Sequence, residues 1–290
     1  MATRVMIAVF SYNRPNLLRL GVEALLRTPF AGQLCIFDDC SDDEGVLAYL
    51  EEVRARDVHV TTVDSGLPRA NYHQRAARCA MLRSAALAYF ISQPEQFDYV
   101  LFKDDDVLVT IPTVLEAVRD FQRLKETEWA HIGALTLHGL ATHKGYLQVE
   151  DRVFTELDIT GEANVLFGRA AIATTGNYFE AVNGGFADTQ FWALRRAGFK
   201  YYDRVWLPYR VQHLGISPGS STIHQAERFP DWNKHLYECV YKRRGLGQPL
   251  QVPGLDNKVF TARALAVGAE EAAREILENK DETFSVSYTG

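Results

Sequence analysis

The first third of the chain alternates short apolar runs with longer segments whose apolar residues recur at helical spacing. The short runs predict β-strands and the periodic segments predict helices. We predict strands at residues 5–10, 33–37, 58–63 and 99–102, and helices at residues 16–27, 45–56 and 72–91. Strands separated by helices indicate βαβ units. The predicted fold class is therefore α/β, with a mainly parallel sheet flanked by helices.

The pattern is looser beyond residue 129. Short strand-like runs lie at 129–136, 147–149 and 164–167, and helical periodicity returns at 187–197. Residues 215–230 are rich in Gly, Ser and Pro and long for a connector, which is typical of a functional loop or lid. Residues 263–279 predict an amphipathic helix that packs on the body or on another subunit. Without a sharp linker, we predict one domain over 1–240 and a C-terminal helical extension over 241–290.

Polar clusters follow the predicted strands at the points where these strands end. They are SYNRP at 11–15, DDCSD at 38–42 and DDD at 104–106, joined by GLPRAN at 66–71 before the third helix. Each cluster by itself is ordinary loop composition. Because parallel strands place their carboxyl ends on one edge, where ligands collect in open α/β sheets, we expect the clusters to converge there.

The three adjacent carboxylates of Asp104 to Asp106 repel one another unless a cation neutralises them. Carboxylate oxygens suit Mg²⁺ or Mn²⁺, and Mg²⁺ commonly binds one or two carboxylates together with substrate phosphates. The run therefore predicts a site for a metal and a diphosphate. The alternative is an acidic turn exposed to water.

Composition narrows the function classes. The 290 residues carry a net charge of −6, with 47% hydrophobic and 23% charged residues, as in ordinary soluble globular proteins. A net negative charge gives no general attraction to nucleic acid or anionic lipid, although a local basic patch stays open around residues 242–244. No apolar stretch predicts a membrane span or a signal peptide, and the cysteines form no C-x-x-C pair. We therefore expect a cytoplasmic protein with free thiols.

Five stretches together resemble GT-A-fold glycosyltransferases, close in pattern to glycosyltransferase family 2. The resemblance spans about the first 215 residues. The stretches are VFSYNRP at 9–15, FDDCSDD at 37–43, SGLPRAN at 65–71, VLFKDDDV at 100–107 and GGFADTQFWALRRAGF at 184–199.

The resemblance implies a nucleotide-sugar half at 1–110 and an acceptor half at 111–240. It implies that the first-strand motif and the second-strand acids hold the nucleoside and that Arg14 lies near phosphate. The nucleotide-sugar-binding residues would be Phe10, Ser11, Arg14, Asp38, Asp39, Arg69, Asp104 and Asp105. Asp is a suitable partner because it accepts from an imide N–H or a hydroxyl. The alternative for the neighbouring Asp42 and Asp43 is helix N-capping.

The resemblance also makes Asp104 to Asp106 the D-x-D element, which would bind Mn²⁺ or Mg²⁺. Asp106 would ligate the metal directly, and Asp104 would face the ribose or reach the metal through water. Asp105 would bind the sugar or support the loop. His213 would join the metal or diphosphate, with a structural histidine as the alternative, and His224 is a weaker candidate.

Asp188 occupies the position of the second acid in the family's acidic doublet, whose first acid is replaced here by Ala187. The second acid would act as general base on the acceptor hydroxyl. The alternative is a first-turn acid that stabilises a helix. One base without a carboxylate nucleophile predicts inversion at the anomeric carbon. Trp192 and Trp232 would stack on a sugar or an acceptor, with core packing as the alternative.

The predicted function is metal-dependent, inverting transfer of a sugar from a nucleoside-diphosphate sugar, with UDP favoured by the resemblance, to an acceptor hydroxyl. Two alternatives stay open: an inactive nucleotide- or sugar-binding module on the same fold, and a nucleotidyltransferase. The latter ranks lower because SYNRPN is not a Gly-rich phosphate loop. The acceptor would be a saccharide, a natural product, a protein or a modified DNA base. A homo-oligomer through the C-terminal helix stays open.

Overall fold

The computed structural model describes residues 3–70, 72–127, 131–137, 143–157, 164–177, 188–204, 209, 211–213 and 269–278. The strands are β1 (Val5–Ser11), β2 (Gly32–Asp38), β3 (His59–Thr62), β4 (Tyr99–Asp104), β5 (Val107–Val109), β6 (Ile132–Thr136), β7 (His143–Val149), β8 (Arg152–Leu157), β9 (Asn164–Gly168), β10 (Lys200–Arg204) and β11 (Val211–His213). The helices are α1 (Pro15–Leu26), α2 (Glu44–Arg54), α3 (Tyr72–Ser92), α4 (Ile111–Lys125), α5 (Arg169–Thr175), α6 (Asp188–Arg196) and α7 (Ala269–Glu278).

Contacts divide the chain into two compact units. Unit 1 comprises Met1–Asn13, Pro29–Asp104 and Ile111–Tyr209, and unit 2 comprises Arg14–Thr28, Asp105–Thr110 and Arg210–Gly290. The predicted division at residue 240 stays a prediction.

Unit 1 contains a nine-stranded sheet in the order β3-β2-β1-β4-β9-β6-β10-β8-β7. Strands β1, β2, β3, β4, β6, β7 and β10 run in one direction, and β8 and β9 run in the other. The predicted α/β class with a mainly parallel sheet is therefore confirmed. Every residue of β1 is buried, as expected for a parallel strand whose two faces are both covered.

The strand register aligns the ends of three neighbouring strands, β2, β1 and β4. Ser11 is opposite Asp38 across β1 and β2, and Phe10 is opposite Asp104 across β1 and β4. Ser11, Asp38 and Asp104 therefore lie along one edge of this sheet, as the sequence predicts for the ends of these strands.

A row of aromatic rings forms the core beside this edge. Phe102 packs edge-on against Phe10 at 5.0 Å between centroids and against Phe167 at 5.3 Å. Phe167 stacks on Phe191 at 5.9 Å, and Phe191 contacts Tyr201 at 5.0 Å. Each such pair adds about 0.5–1.5 kcal/mol beyond the burial of its area. The row ties β1, β4, β9, α6 and β10 together.

Gly133 in β6 is in close contact with α5, with α6 and with Phe199, which follows α6. A Cβ at this position would lie 2.8 Å from Phe199 Cβ, 3.1 Å from Leu194 Cδ2 and 3.3 Å from Ala171 Cβ. Only a residue without a side chain lets these groups approach the strand so closely.

Unit 2 is built around α1. Helix α7 packs against α1, and β5 pairs antiparallel with β11, with Val107 opposite His213. The predicted helix at 263–279 is confirmed over Ala269–Glu278, and the rest of that range is outside the described residues. The helix packs against α1 of its own chain. None of the helices in the described part of the chain combines the length and apolar composition that a bilayer-spanning helix needs.

Candidate functional site

Asp38 ends β2 and shapes the loop that follows. Its buried carboxylate accepts hydrogen bonds from Ser41 N at 2.8 Å and from Ser41 Oγ at 2.6 Å. The loop turns at Cys40, whose φ of 48° is the left-handed conformation of a tight turn. Burial raises the pKa of Asp38, and the Ser41 hydrogen bonds only partly offset this shift. The structure thus places Asp38 as a buried anchor of the β2 loop.

Asn13 joins the loop after β1 to the loop after β2. Its Oδ1 accepts from the backbone N–H groups of Asp42 at 2.9 Å and Asp43 at 3.1 Å, and its own N–H donates to Ser41 Oγ at 3.0 Å. Asp43 in turn accepts from Val46 N at 3.0 Å and caps α2, which confirms N-capping for this residue. The two loops at the carboxyl edge therefore hold each other in one conformation.

Asp39 is bound by two arginines. Arg69 Nη2 lies 2.5 Å from Asp39 Oδ2, and Arg78 Nη2 lies 2.8 Å from Oδ1, with Arg78 Nε donating to Oδ2 at 3.2 Å. Asp39 and Arg78 are buried, whereas 26% of the Arg69 side chain is exposed. Arg69 also stacks on the Tyr12 ring. The result is one carboxylate between two guanidinium groups, one of which solvent can reach.

Asp104, the last residue of β4, has its own arginine. Arg83 Nη2 donates to Asp104 Oδ1 at 2.8 Å, and the buried Arg83 guanidinium lies 4.5 Å from the centre of the Phe10 ring. Lys103 Nζ donates to the backbone oxygen of Asp104 at 3.0 Å. The carboxyl edge of unit 1 therefore combines acidic strand ends with cations from the same unit.

Sequence reasoning missed Arg78 and Arg83 of α3 as residues of this edge. A signal was present, because Arg83 lies three and four residues before the buried Ala86 and Leu87 and so falls on the apolar stripe of the helix. Arginine on such a stripe indicates a buried carboxylate partner.

Arg14 binds the other two carboxylates of the triple-Asp run within unit 2. Its Nη1 lies 2.8 Å from Asp106 Oδ2, its Nε donates to Asp105 Oδ2 at 3.2 Å, and its Nη2 pairs with Asp105 Oδ1. Pro15 fixes the first helical position of α1, so that Arg14 is the non-helical residue before it. Asp105 is fully buried under this fork.

Glu270 of α7 caps the same helix start. Its Oε2 accepts from Asn16 N at 2.9 Å and its Oε1 from Leu17 N at 3.0 Å. These backbone donors have no partner inside α1, and a carboxylate complements the positive end of the helix dipole. Burial raises the pKa of Glu270, against the lowering effect of the two backbone hydrogen bonds. The sequence gives no sign of this contact, which spans 254 positions.

The predicted metal ligands are Asp104, Asp106 and His213. No cluster of three or more His, Cys, Asp or Glu side chains that could hold a metal ion occurs among the described residues. The Arg14 fork already takes both oxygens of Asp105 and one of Asp106. In this arrangement the carboxylates do not fit a divalent cation. His213 ends β11 opposite Val107, but its side chain is outside the described structure, so its metal role stays a prediction.

The remaining predicted residues lie on or beyond α6. Asp188 is the first residue of α6, and its side chain is not described, so its role as base stays a prediction. Trp192 lies one turn further on with half of its surface exposed, which leaves its ring accessible to a ligand. Trp232, His224 and the predicted lid at 215–230 are outside the described residues.

A separate cavity of about 730 Å³ lies at the opposite edge of the sheet, where β1 and β4 begin. None of the predicted site residues lines it. Arg169, which lines the cavity, donates to the backbone oxygens of Phe90 at 2.8 Å and Gln93 at 3.0 Å, so this cation joins segments of the fold. The candidate site is at the carboxyl edge.

No family model matches the chain, and no curated protein matches it in sequence. Among solved structures, it is similar to S. aureus TarS 1–349 in complex with UDP-GlcNAc, with 14% identity, a TM-score of 0.47 and coverage of 95% of this chain and 91% of that one. A mannosyltransferase from Pyrobaculum calidifontis in complex with GDP-Man and Mn²⁺ is similar at 13% identity and a TM-score of 0.47, with coverage of 96% and 75%.

A longer S. aureus TarS structure is matched at 15% identity and a TM-score of 0.45 over 66% of this chain, which spans only 33% of that protein. At these identities and TM-scores the similarity assigns neither a family nor an activity. Any assignment of function therefore depends on the side chains described above.

Proposed function

We propose that the protein is a glycosyltransferase that moves a sugar from a nucleoside-diphosphate sugar to an acceptor hydroxyl. The observation that carries the proposal is the alignment of Ser11, Asp38 and Asp104 at one edge of parallel strands, followed by Asp39 and its two arginines. Ligands of open α/β sheets bind at this edge.

In this proposal the nucleoside lies against the end of β1, near the backbone of Phe10 and Ser11. Asp39 accepts hydrogen bonds from the base or the ribose, and Asp104 accepts from a ribose hydroxyl. The arginines on Asp39 and Asp104 support these roles, because their charge-assisted contacts hold each carboxylate in a fixed position at this edge. Asp38 shapes the loop through Ser41.

Asp188 is proposed as the general base. Its carboxylate takes the proton of the acceptor hydroxyl as that oxygen forms a bond to the anomeric carbon. The bond from the anomeric carbon to the phosphate oxygen breaks, and its electron pair leaves with the nucleoside diphosphate. A single displacement of this kind inverts the anomeric configuration. The exposed ring of Trp192, on the same helix, is proposed to stack on the sugar or the acceptor.

The identity of the nucleotide and the use of a divalent metal have different support. UDP as the nucleotide depends only on the sequence resemblance. A divalent metal on Asp104, Asp106 and His213 is the part that the contacts of Arg14 do not support, so no step of the transfer is assigned to a metal.

The proposal is tested by calorimetric titration of UDP, GDP, ADP and CDP, each with Mn²⁺ and with EDTA, followed by assays of nucleotide-sugar turnover. We expect one nucleoside diphosphate to bind. Without an acceptor, the protein should slowly hydrolyse the matching nucleotide-sugar and release the same diphosphate. Asp39→Asn should weaken binding by about tenfold or more, because a charge-assisted hydrogen bond is lost. Absence of binding by all four nucleotides in both conditions would contradict the proposed function.

A further inference from the structure

We propose that Arg14 takes the place of a divalent cation at Asp105 and Asp106, and that a different arginine binds the donor diphosphate. Binding of the donor therefore needs no metal. The inference rests on the proposed function, because it concerns how the same donor is held. It reverses the metal dependence that the acidic run predicts from the sequence.

The first support is the geometry of the Arg14 fork. A planar guanidinium matches two carboxylate oxygens at once, and here one arginine reaches Asp105 through two nitrogens and Asp106 through a third contact. The guanidinium thereby offsets one of the two neighbouring negative charges and reduces their repulsion from within the chain.

The second support is burial. Asp105 is fully buried and Asp106 nearly so. To reach the three oxygens that Arg14 contacts, a metal ion would have to displace the guanidinium and lose most of its water, and Mg²⁺ gives up its water reluctantly. Removing one partner from a buried ion pair is strongly destabilising. The acids therefore serve to hold the start of α1 through Arg14.

The third support is a source of positive charge for the diphosphate in unit 1. Arg69 and Arg78 share the single carboxylate of Asp39, while the neighbouring Asp38 is bound by Ser41. Two guanidinium groups therefore face one carboxylate. Arg69 is the more exposed of the two, and arginine suits the geometry of phosphate oxygens. We assign the diphosphate contact to Arg69, with Arg78 as its buried support.

The first experiment is titration of the wild-type chain with UDP, GDP, ADP and CDP in excess EDTA and in saturating MnCl₂. The proposal expects the best nucleotide to bind with a dissociation constant that agrees between the two conditions within about threefold. Tightening by Mn²⁺ of about tenfold or more would overturn the inference and leave the proposed function intact. Absence of binding in both conditions would overturn both.

Two variant pairs identify the residues. Arg69→Gln should weaken nucleotide binding in EDTA by about tenfold or more, whereas the control Arg54→Gln, on the surface of α2, should leave it unchanged. Arg14→Gln removes the internal cation, so Mn²⁺ alone should raise its melting temperature, while Arg19→Gln on the same helix should respond to Mn²⁺ as the wild type does. An Arg14→Gln protein that gains nothing from Mn²⁺ would overturn the role of Arg14. The wild-type titration decides the question if this variant does not fold.

Discussion

The guanidinium of Arg83 donates a 2.8 Å hydrogen bond to the carboxylate of Asp104, from the buried side of α3 to the end of β4. We expect Arg83→Met to lower the free energy of unfolding by about 2–4 kcal/mol, because it leaves a partly buried carboxylate without this partner. Urea unfolding measures the change.

Two controls separate this ion pair from general effects of the substitution. Arg54→Met breaks the exposed pair between Arg54 and Glu51 and should cost less than about 1 kcal/mol. The double variant Arg83→Met with Asp104→Asn should lose less than the sum of the single changes. Strict additivity would show that Arg83 and Asp104 are not coupled.

The close packing around Gly133 leaves no space for a larger side chain. Gly133→Ala places a methyl group 2.8 Å from Phe199 Cβ, which is not the free end of a side chain and cannot easily move. We expect a loss of about 1–3 kcal/mol of stability from overpacking. Gly145→Ala in β7 is the matched control, since no atom lies within 4 Å of its Cβ. Thermal unfolding compares the two, and equal melting temperatures would contradict the packing at Gly133.

Glu270 predicts a dependence of stability on pH. Burial raises its folded-state pKa above the ordinary value of 4.5, so between pH 4.5 and the folded pKa the folded protein holds a proton that the unfolded chain has released. The stability from this proton is complete below pH 4.5 and is lost as the pH rises through the folded pKa. Relative to Glu270→Gln, which has no such proton, the wild type should gain stability as the pH falls from neutral towards 4.5.

The measurement is the difference in melting temperature between the wild type and Glu270→Gln across this pH range. Glu271→Gln is the control on the same helix, because Glu271 pairs with Arg274 in an exposed ion pair of small energy. A difference from Glu270→Gln that is independent of pH, or that shifts against the wild type on acidification, would contradict the buried environment of Glu270.

Substitution of Asp188 distinguishes an enzyme from a binding module. Asp188→Asn should leave nucleotide affinity within about twofold of the wild type and reduce transfer to the acceptor by about a hundredfold or more, because the amide cannot accept the proton. Titration and product analysis on the same preparation measure both. Asp151→Asn, an exposed acid between β7 and β8, is the control. Transfer that survives Asp188→Asn would show that the base is another residue.

Local pattern was enough to predict part of the fold. The structure confirms the predicted strands at 33–37 and 99–102 and the predicted helix at 72–91 as β2, β4 and α3. These predictions succeed because the spacing of apolar residues along an element reflects its own side-chain periodicity. Helix α4 was missed although its apolar residues, among them Val114, Val118 and Phe121, recur at helical spacing. The short strands β5 and β11 have three residues each, so only their pairing defines them.

The sequence by itself determined the α/β order of the elements and the polar strand ends at Ser11, Asp38 and Asp104, since the parallel register of a βαβ unit brings strand ends to one edge. The tertiary structure decided the partners of the acids. Asp39 is bound by Arg69 and Arg78, Asp105 and Asp106 by Arg14, and α1 is capped by Glu270. A run of carboxylates in the sequence indicates only that a cation must offset their negative charge. Which cation supplies it depends on side chains brought close by folding from distant positions, and no local pattern encodes that distance.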